Sequence, residues 1–185
     1  MFRRAVTPEI EIRLFGADDA EAVFPVVERN RDYLREWLPW VDGTHSPEDI
    51  RTFIETIAIP QYDADKGPNC GIWISGEFAG SIGCHEINSA YRNCSLGYWV
   101  DAAHQGKGIV TRCCAVMLDY LFDELQLHRV TIECGTGNAR SCAIPERLGF
   151  TREAVKREAQ LVGGRWVDLV MWSILDREWR ERRVN

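Results

Sequence analysis

Long apolar runs are missing from this chain. Nowhere do apolar residues continue for the ~18 to 20 positions that a bilayer-spanning helix needs. The start, Met1-Phe2-Arg3-Arg4, leads into Thr7-Pro8-Glu9 rather than into a signal-type apolar segment. A cytoplasmic protein with no membrane partner is expected. Metal and redox spacings are missing too: the seven cysteines, Cys70, Cys84, Cys94, Cys113, Cys114, Cys134 and Cys142, form no C-x-x-C pair, and no histidines cluster at zinc spacing. Free, mostly buried thiols and no metal are the expectation. Positive charge is in deficit, with 22 Lys and Arg against 28 Asp and Glu for a formal net charge of −6. That balance weighs against direct nucleic-acid binding and favours a cationic or amine-bearing partner. Repeats, low-complexity tracts and linker-like stretches are absent as well, so the 185 residues read as one domain, 1–185.

What is present centres on Gln105-Gly106-Lys107-Gly108-Ile109-Val110. From about Gly108 to Leu125 the apolar residues Val110, Cys113, Cys114, Met117, Leu118, Leu121, Phe122 and Leu125 recur at helical spacing. A helix therefore begins at the glycines. Its first amides lack intrahelical acceptors, and the aligned peptide dipoles put about half a positive charge at that end, which suits a phosphate or pyrophosphate. An ordinary glycine-rich turn is the alternative, and the surrounding pattern has to choose between them.

Along the chain, Glu9 to Phe15 alternates as a strand, with Ile10, Ile12 and Leu14 on one side. Asp18 or Asp19 caps a helix to about Arg29, with Ala22, Val23, Val26 and Val27 on its inner face and Pro25 expected to kink or divide it. Tyr33-Leu34-Arg35-Glu36-Trp37-Leu38-Pro39-Trp40 is an aromatic cluster that either walls a cleft or pins a short helix. Ser46-Pro47 starts a helix that Pro60 should end. Cys70 to Ser75, Phe78 to Asn88 and Cys94 to Val100 read as three strands, the first two joined by a turn at Gly76-Glu77. His128 to Cys134 is a further strand, and Asn138 to Leu148 a helix closed by Gly149. Thr151 to Leu161 and Arg165 to Leu175 flank Val162-Gly163-Gly164 as a hairpin, and a basic tail runs from Asp176 to Arg183. The order implies a mixed α/β sheet of about seven strands covered by helices.

Two familiar phosphate fingerprints fail at the glycines. A dinucleotide site needs G-x-G-x-x-G at a strand end, and Gly106-Lys107-Gly108 has no third glycine; the spacing of a P-loop is absent. Gln105-x-x-Gly108-x-Val110 instead resembles the pyrophosphate loop of the GNAT N-acetyltransferases, Gln/Arg-x-x-Gly-x-Gly/Ala, with valine departing at the last position. The resemblance continues in Asn138-Ala139-Arg140-Ser141 and in Glu146-Arg147-Leu148-Gly149-Phe150, and it covers Glu9 to Trp179. Leu96-Gly97-Tyr98-Trp99-Val100, the Trp37-Leu38-Pro39-Trp40 cluster and the final hairpin are similar to the RimJ/RimL ribosomal-protein branch.

That resemblance implies a GNAT fold with a V-shaped splay in its sheet, and acetyl-coenzyme A as co-substrate between the strands ending at Val100 and Cys134. Tyr98, Trp99 and Val100 would offer backbone groups to the pantetheine, Gln105, Gly106, Lys107, Gly108, Ile109 and Val110 would hold the pyrophosphate, and Asn138 would bond the pantetheine arm or cap its helix. Many members place a tyrosine acid where this chain has Pro145, so Ser141 takes the proton-donor role or else caps the backbone. The glutamate that members carry two residues before Gly-Tyr is Ser95 here. With residue 88 opposite residue 93, Glu86 faces Ser95; a one-residue shift presents His85 instead. Glu133, Glu158 and Asp168 are weaker base candidates. The implied acceptor is a protein or peptide α-amine, or a small amine such as an aminoglycoside, polyamine or peptide-like toxin; a non-catalytic coenzyme A sensor is the rival reading. The branch implies a homodimer.

Overall fold

The computed structural model describes residues 2–184, apart from the side chains of 86 and 184. Eight strands form one sheet: β1 (Arg3–Ala5), β2 (Ile10–Leu14), β3 (Asn69–Ile74), β4 (Glu77–Asn88), β5 (Asn93–Val100), β6 (Arg129–Gly135), β7 (Thr151–Val162) and β8 (Arg165–Leu175). Their order is β1-β2-β3-β4-β5-β6-β8-β7. The strand more than expected is β1, whose three residues are too short to show alternation; it pairs antiparallel with β2.

One pairing is parallel, β5 with β6, and it lasts for only three positions, Asn93 to Ser95 against Arg129 to Thr131. Beyond Ser95 each strand keeps its outer partner, β5 with β4 up to Val100 and β6 with β8 up to Gly135. The two therefore part while each stays tied to its own half of the sheet, leaving a wedge whose walls carry unpaired peptide groups.

Helices cover both faces. On one, α5 (Ile109–Asp119) lays Cys113, Cys114, Met117 and Leu118 against Ile12, Ile72, Ile82, Leu96, Val130 and Ile132 of the sheet. Each leucine, isoleucine, valine or methionine among them, once buried, contributes about 1.5–3 kcal/mol. On the other face, α1 (Ala20–Arg29) and α3 (Pro47–Phe53) pack Val23, Val26, Val27 and Ile50 on Phe15, Trp73 and Phe78. Two further short helices, α2 (Arg31–Leu34) and α4 (Ile59–Asp63), follow those elements, and α6 (Ala139–Arg147) and α7 (Asp176–Val184) complete the set.

Several expectations are corrected here. Helix α1 runs through Pro25, which lies on the solvent side where its missing donor is tolerated, and Ala20 rather than Ala22 is buried. Pro60 does not stop its helix. A π-helical turn over Ile54–Ala58 widens the backbone just before it, so Pro60 enters α4 in the first turn, where no donor is needed. The β3–β4 turn falls at Ser75-Gly76, both with positive φ, one residue earlier than expected. The hairpin turn Gly163-Gly164 has the two positive φ values such a turn requires.

Candidate active site

The wedge between β5 and β6 opens into a cleft of about 1150 Å³. Gly97, Tyr98, Trp99 and Val100 form one wall and Glu133, Cys134 and Gly135 the other; the loop Gln105 to Val110 and the start of α6 close its ends.

The loop has the conformation its glycines permit. Gly106 and Gly108 sit at φ of +72° and +68°, left-handed values that cost a side-chain-bearing residue about 1–2 kcal/mol, and Gly108 is the N-cap of α5. Arg112 N–H bonds the Gly108 carbonyl at 3.1 Å. The amides of Ile109, Val110 and Thr111, one turn earlier, have no helical acceptor, and these residues line the cleft at the positive end of the helix. Val110 is buried, so its isopropyl group joins the core beneath α5 and leaves the amide in place. Arg112, Arg140 and Arg147 add positive charge to the same lining, which His104 also joins. Gln105 ties the loop to α6 by accepting from Arg140 Nη1 at 2.6 Å. Lys107 is different: it does not line the cleft, and its Nζ turns back to the Ala103 carbonyl at 2.9 Å.

Asp101 anchors this loop from below. It is buried, caps the short turn Ala102–His104 through the Ala103 amide, and accepts from Arg29 and from Asn30 Nδ2 at 2.9 Å. Burial works to raise its carboxyl pKa, but the bonds from Arg29, Asn30 and Ala103 outweigh it and hold the group below its ordinary value. Tyr33 adds a second tie by donating to the Val100 carbonyl, and burial pushes its phenol up to about 12.

At the inner end, α6 begins with Asn138, whose Oδ1 accepts from the Ser141 amide at 3.1 Å. Asn138 is thus the helix cap and also part of the cleft lining. Pro145, four residues after Ser141, has no N–H for the Ser141 carbonyl. Tyr98 takes the place of that donor, its hydroxyl donating to Ser141 O at 3.1 Å. The Ser141 hydroxyl meets Cys134 Sγ at 3.3 Å. Burial raises the Tyr98 phenol well above its usual range and the Cys134 thiol to about 12, so both are neutral and keep their protons. A nucleophilic thiolate at Cys134 is disfavoured on that ground.

The base candidates fare differently. Residue 88 does face residue 93, but a bulge between His85 and Asn88 slips the ladder, so His85, not Glu86, stands opposite Ser95. His85 is exposed and its imidazole lies over Gly97. The Glu86 side chain lies outside the described residues. Glu133, expected to be a weaker candidate, lines the cleft and accepts from Lys156 Nζ at 2.8 and 3.0 Å. Asp168 accepts from the Glu158 amide at 2.7 Å, and neither Glu158 nor Asp168 is among the cleft-lining residues.

The aromatic cluster does both things expected of it. The Trp37 ring lies on Gly135 and Gly137, where a Cβ on Gly135 would come within 2.7 Å of it, and with Leu38 it walls the cleft. Trp40 packs on Trp99, ring centroids 6.2 Å apart. Tyr98, expected to offer only backbone groups, also contributes its hydroxyl, because Pro145 frees the carbonyl it binds.

Residues 9–151 match the model of the acetyltransferase (GNAT) domain. The putative ribosomal N-acetyltransferase YdaF of Bacillus subtilis (strain 168) is 37% identical over 183 residues, covering 97% of this chain and 98% of its own. Two solved structures superpose closely. The microcin C7 self-immunity acetyltransferase MccE, in complex with acetyl-CoA and AMP, has a TM-score of 0.88 at 26% identity, with 92% of each chain covered. RimL, the ribosomal L7/L12 α-N-protein acetyltransferase in complex with coenzyme A, has a TM-score of 0.89 at 23% identity, covering 92% of this chain and 96% of that one. With the splayed sheet, the loop before α5 and the match over residues 9–151, the chain belongs to the GNAT family of N-acetyltransferases and is of RimJ/RimL type.

Proposed function

We propose that this enzyme transfers acetyl from acetyl-coenzyme A to a primary amine, first among them the α-amine of a protein or peptide N-terminus, by direct attack within a ternary complex in the cytoplasm. The observation that carries the reading is the continuity of one cleft, from the orphan amides of α5 to the Tyr98–Ser141–Cys134 group. Left-handed glycines and converging arginines suit a pyrophosphate at one end; bare strand edges suit the amides of a pantetheine arm along the wedge. The bound co-substrate supplies an activated thioester acyl group.

The chain's own groups supply the rest. Ser141 is the proton donor to the leaving sulfur, and its hydroxyl is held at the inner end because Asn138 fixes its amide and Tyr98 its carbonyl. An α-amine, with an ordinary pKa near 8, needs only a modest base; Glu133, which lines the cleft, is the first candidate to receive its proton, and His85, outside that lining but over Gly97, is the second. Trp37 and Leu38 shape the acceptor side. YdaF and RimL carry names that point to ribosomal-protein acceptors, which favours a peptide α-amine over an aminoglycoside or polyamine.

Thiol release over a panel of N-terminal peptides and small amines tests the reading. Turnover on peptides is expected, falling about 10²-fold in Ser141→Ala with little change in coenzyme A affinity. Tight binding with no release above hydrolysis would instead establish a coenzyme A sensor. We also propose a homodimer built on the β7–β8 hairpin, where Leu161 and Trp166, 50% and 61% exposed, face each other across the ladder as an open apolar pair. Sedimentation should show a dimer that Trp166→Glu converts to monomer.

A further inference from the structure

Of 22 basic side chains only three are lysines, Lys66, Lys107 and Lys156; arginine stays protonated at neutral pH and is no acyl acceptor. One of the three, Lys156, is not itself cleft lining but pairs with residues that are. Lys156, Leu169 and Gly135 form a row across β7, β8 and β6, and Leu169 and Gly135 line the cleft. From that row the lysine reaches to Glu133, its Nζ 2.8 and 3.0 Å from the two carboxylate oxygens. Glu133 is itself cleft lining and adjoins Cys134.

We propose that Lys156 is a modification site, acetylated by this enzyme's own activity with acetyl-coenzyme A as donor; the inference rests on the acetyltransferase reading above. A primary ammonium on a cleft-wall carboxylate is the chemistry that an amine acceptor presents. Local backbone geometry places it there. Immediately after Lys156 the β7 ladder slips, and pairing resumes at Gln160, which lines the cleft. Within the slip Glu158 has φ +48°, held by its amide on Asp168. Bulges of this kind bend an edge strand and redirect the side chains beside them. The Lys156 side chain is 46% exposed, and an ion pair so exposed is weakened by water, so the amine leaves its partner at little cost. Neither other lysine is so placed. Lys107 is bonded to the Ala103 carbonyl, and Lys66 follows α4 in an exposed loop.

The step balances without any further reagent. Glu133 accepts one proton from the Lys156 ammonium and returns it to solvent. The neutral Nζ adds to the acetyl carbonyl carbon; the C–N bond forms, the C–S bond breaks, and its electron pair leaves with sulfur. Ser141 gives its proton to that sulfur and is restored by the second amine proton, giving coenzyme A thiol and acetyl-Lys156. The product is neutral, so Glu133 loses its internal cation and turns to the next cationic acceptor.

The full-length chain incubated with deuterated acetyl-coenzyme A, followed by peptide mass spectrometry, tests this through the label on three lysines rather than through turnover. Thiol release on the amine panel is read in parallel. The expected result is labelling of Lys156 at least tenfold faster than of Lys66 or Lys107, at a rate independent of protein concentration, and reduced to the Lys66 rate in the heat-unfolded chain. Glu133→Gln should slow Lys156 and leave Lys66 unchanged. Equal rates at all three lysines, or the same Lys156 rate in the unfolded chain, would overturn the proposal even where the amine panel turns over. Absence of both label and thiol release would overturn it together with the acetyltransferase reading.

Discussion

Tyr98 and Pro145 are coupled through an atom that belongs to neither, the carbonyl of Ser141. In a regular helix that oxygen accepts from the residue four places on; with proline there, the acceptor is orphaned inside a wall of the cleft, and the phenol takes it. Tyr98→Phe keeps the ring and removes the donor. It should cost about 1–3 kcal/mol, the usual penalty for a buried acceptor left without a partner. For a chain of this length that lowers the melting temperature by about 2–4 °C per kcal/mol. Because the freed turn also carries the Ser141 hydroxyl, turnover should drop further than affinity for the donor does; a variant that melts like the wild type with unchanged kcat would remove Tyr98 from this role. The residue pattern reveals half of this. That proline loosens the turn can be read from Pro145 alone, but which side chain answers it depends on β5 and α6 meeting, which no local spacing records. The Asn138 cap on the Ser141 amide was legible because it lies within a single turn of helix, three residues apart.

At the scale of elements, periodic stretches were legible and irregular ones were not. The helix after the glycines, the β3-β4-β5 meander and the final hairpin stand near where alternation and turn residues put them. The bulge that sets His85, rather than Glu86, against Ser95 could not be read, because one extra residue in a strand changes every later facing without changing its composition. The same is true of the π-turn at Ile54–Ala58 that carries the helix past Pro60. The anion loop, by contrast, depends on two glycines whose conformations are required. At Gly108 φ is +68°, and an added Cβ would also approach Arg112 Nη1 at 3.3 Å. Gly108→Ala should therefore lower stability by about 1–2 kcal/mol and raise the Kd for coenzyme A at least tenfold, since the strain is relieved by rotating the first amides of α5 out of the cleft. Gly106 is equally left-handed, but a Cβ added there would meet nothing within 4 Å, so an alanine at that position carries the conformational cost without a steric one. Isothermal titration of the two variants separates a cradle from a mere turn: equal, small effects would leave the loop without its assigned ligand.

Over the whole molecule, charge is distributed against its own average. The chain carries a net −6, yet Arg112, Arg140 and Arg147 line the cleft together with the start of α5, while Glu36 and Glu133 are the acidic side chains that line it. A low-dielectric cleft focuses such a field, so under the proposed function the arginines would draw the polyphosphate of the donor in spite of the overall repulsion, and the acidic side chains and surface would draw a cationic acceptor. Salt screens the two in the same direction but by different routes. The donor meets close, partly buried charges and should lose about tenfold in affinity between 50 and 500 mM salt; the acceptor, steered from farther away, should lose mainly association rate, because charges separated by more than ~8–10 Å are screened near physiological ionic strength. Stopped-flow binding of coenzyme A, and kcat/KM for a basic N-terminal peptide beside a neutral one of the same length, give the two dependences. The basic peptide should lose its advantage as salt rises while the neutral peptide holds steady. A salt-independent ratio between them would mean that the acidic balance plays no part in choosing the acceptor, and that selection rests on Trp37, Leu38 and the hairpin alone.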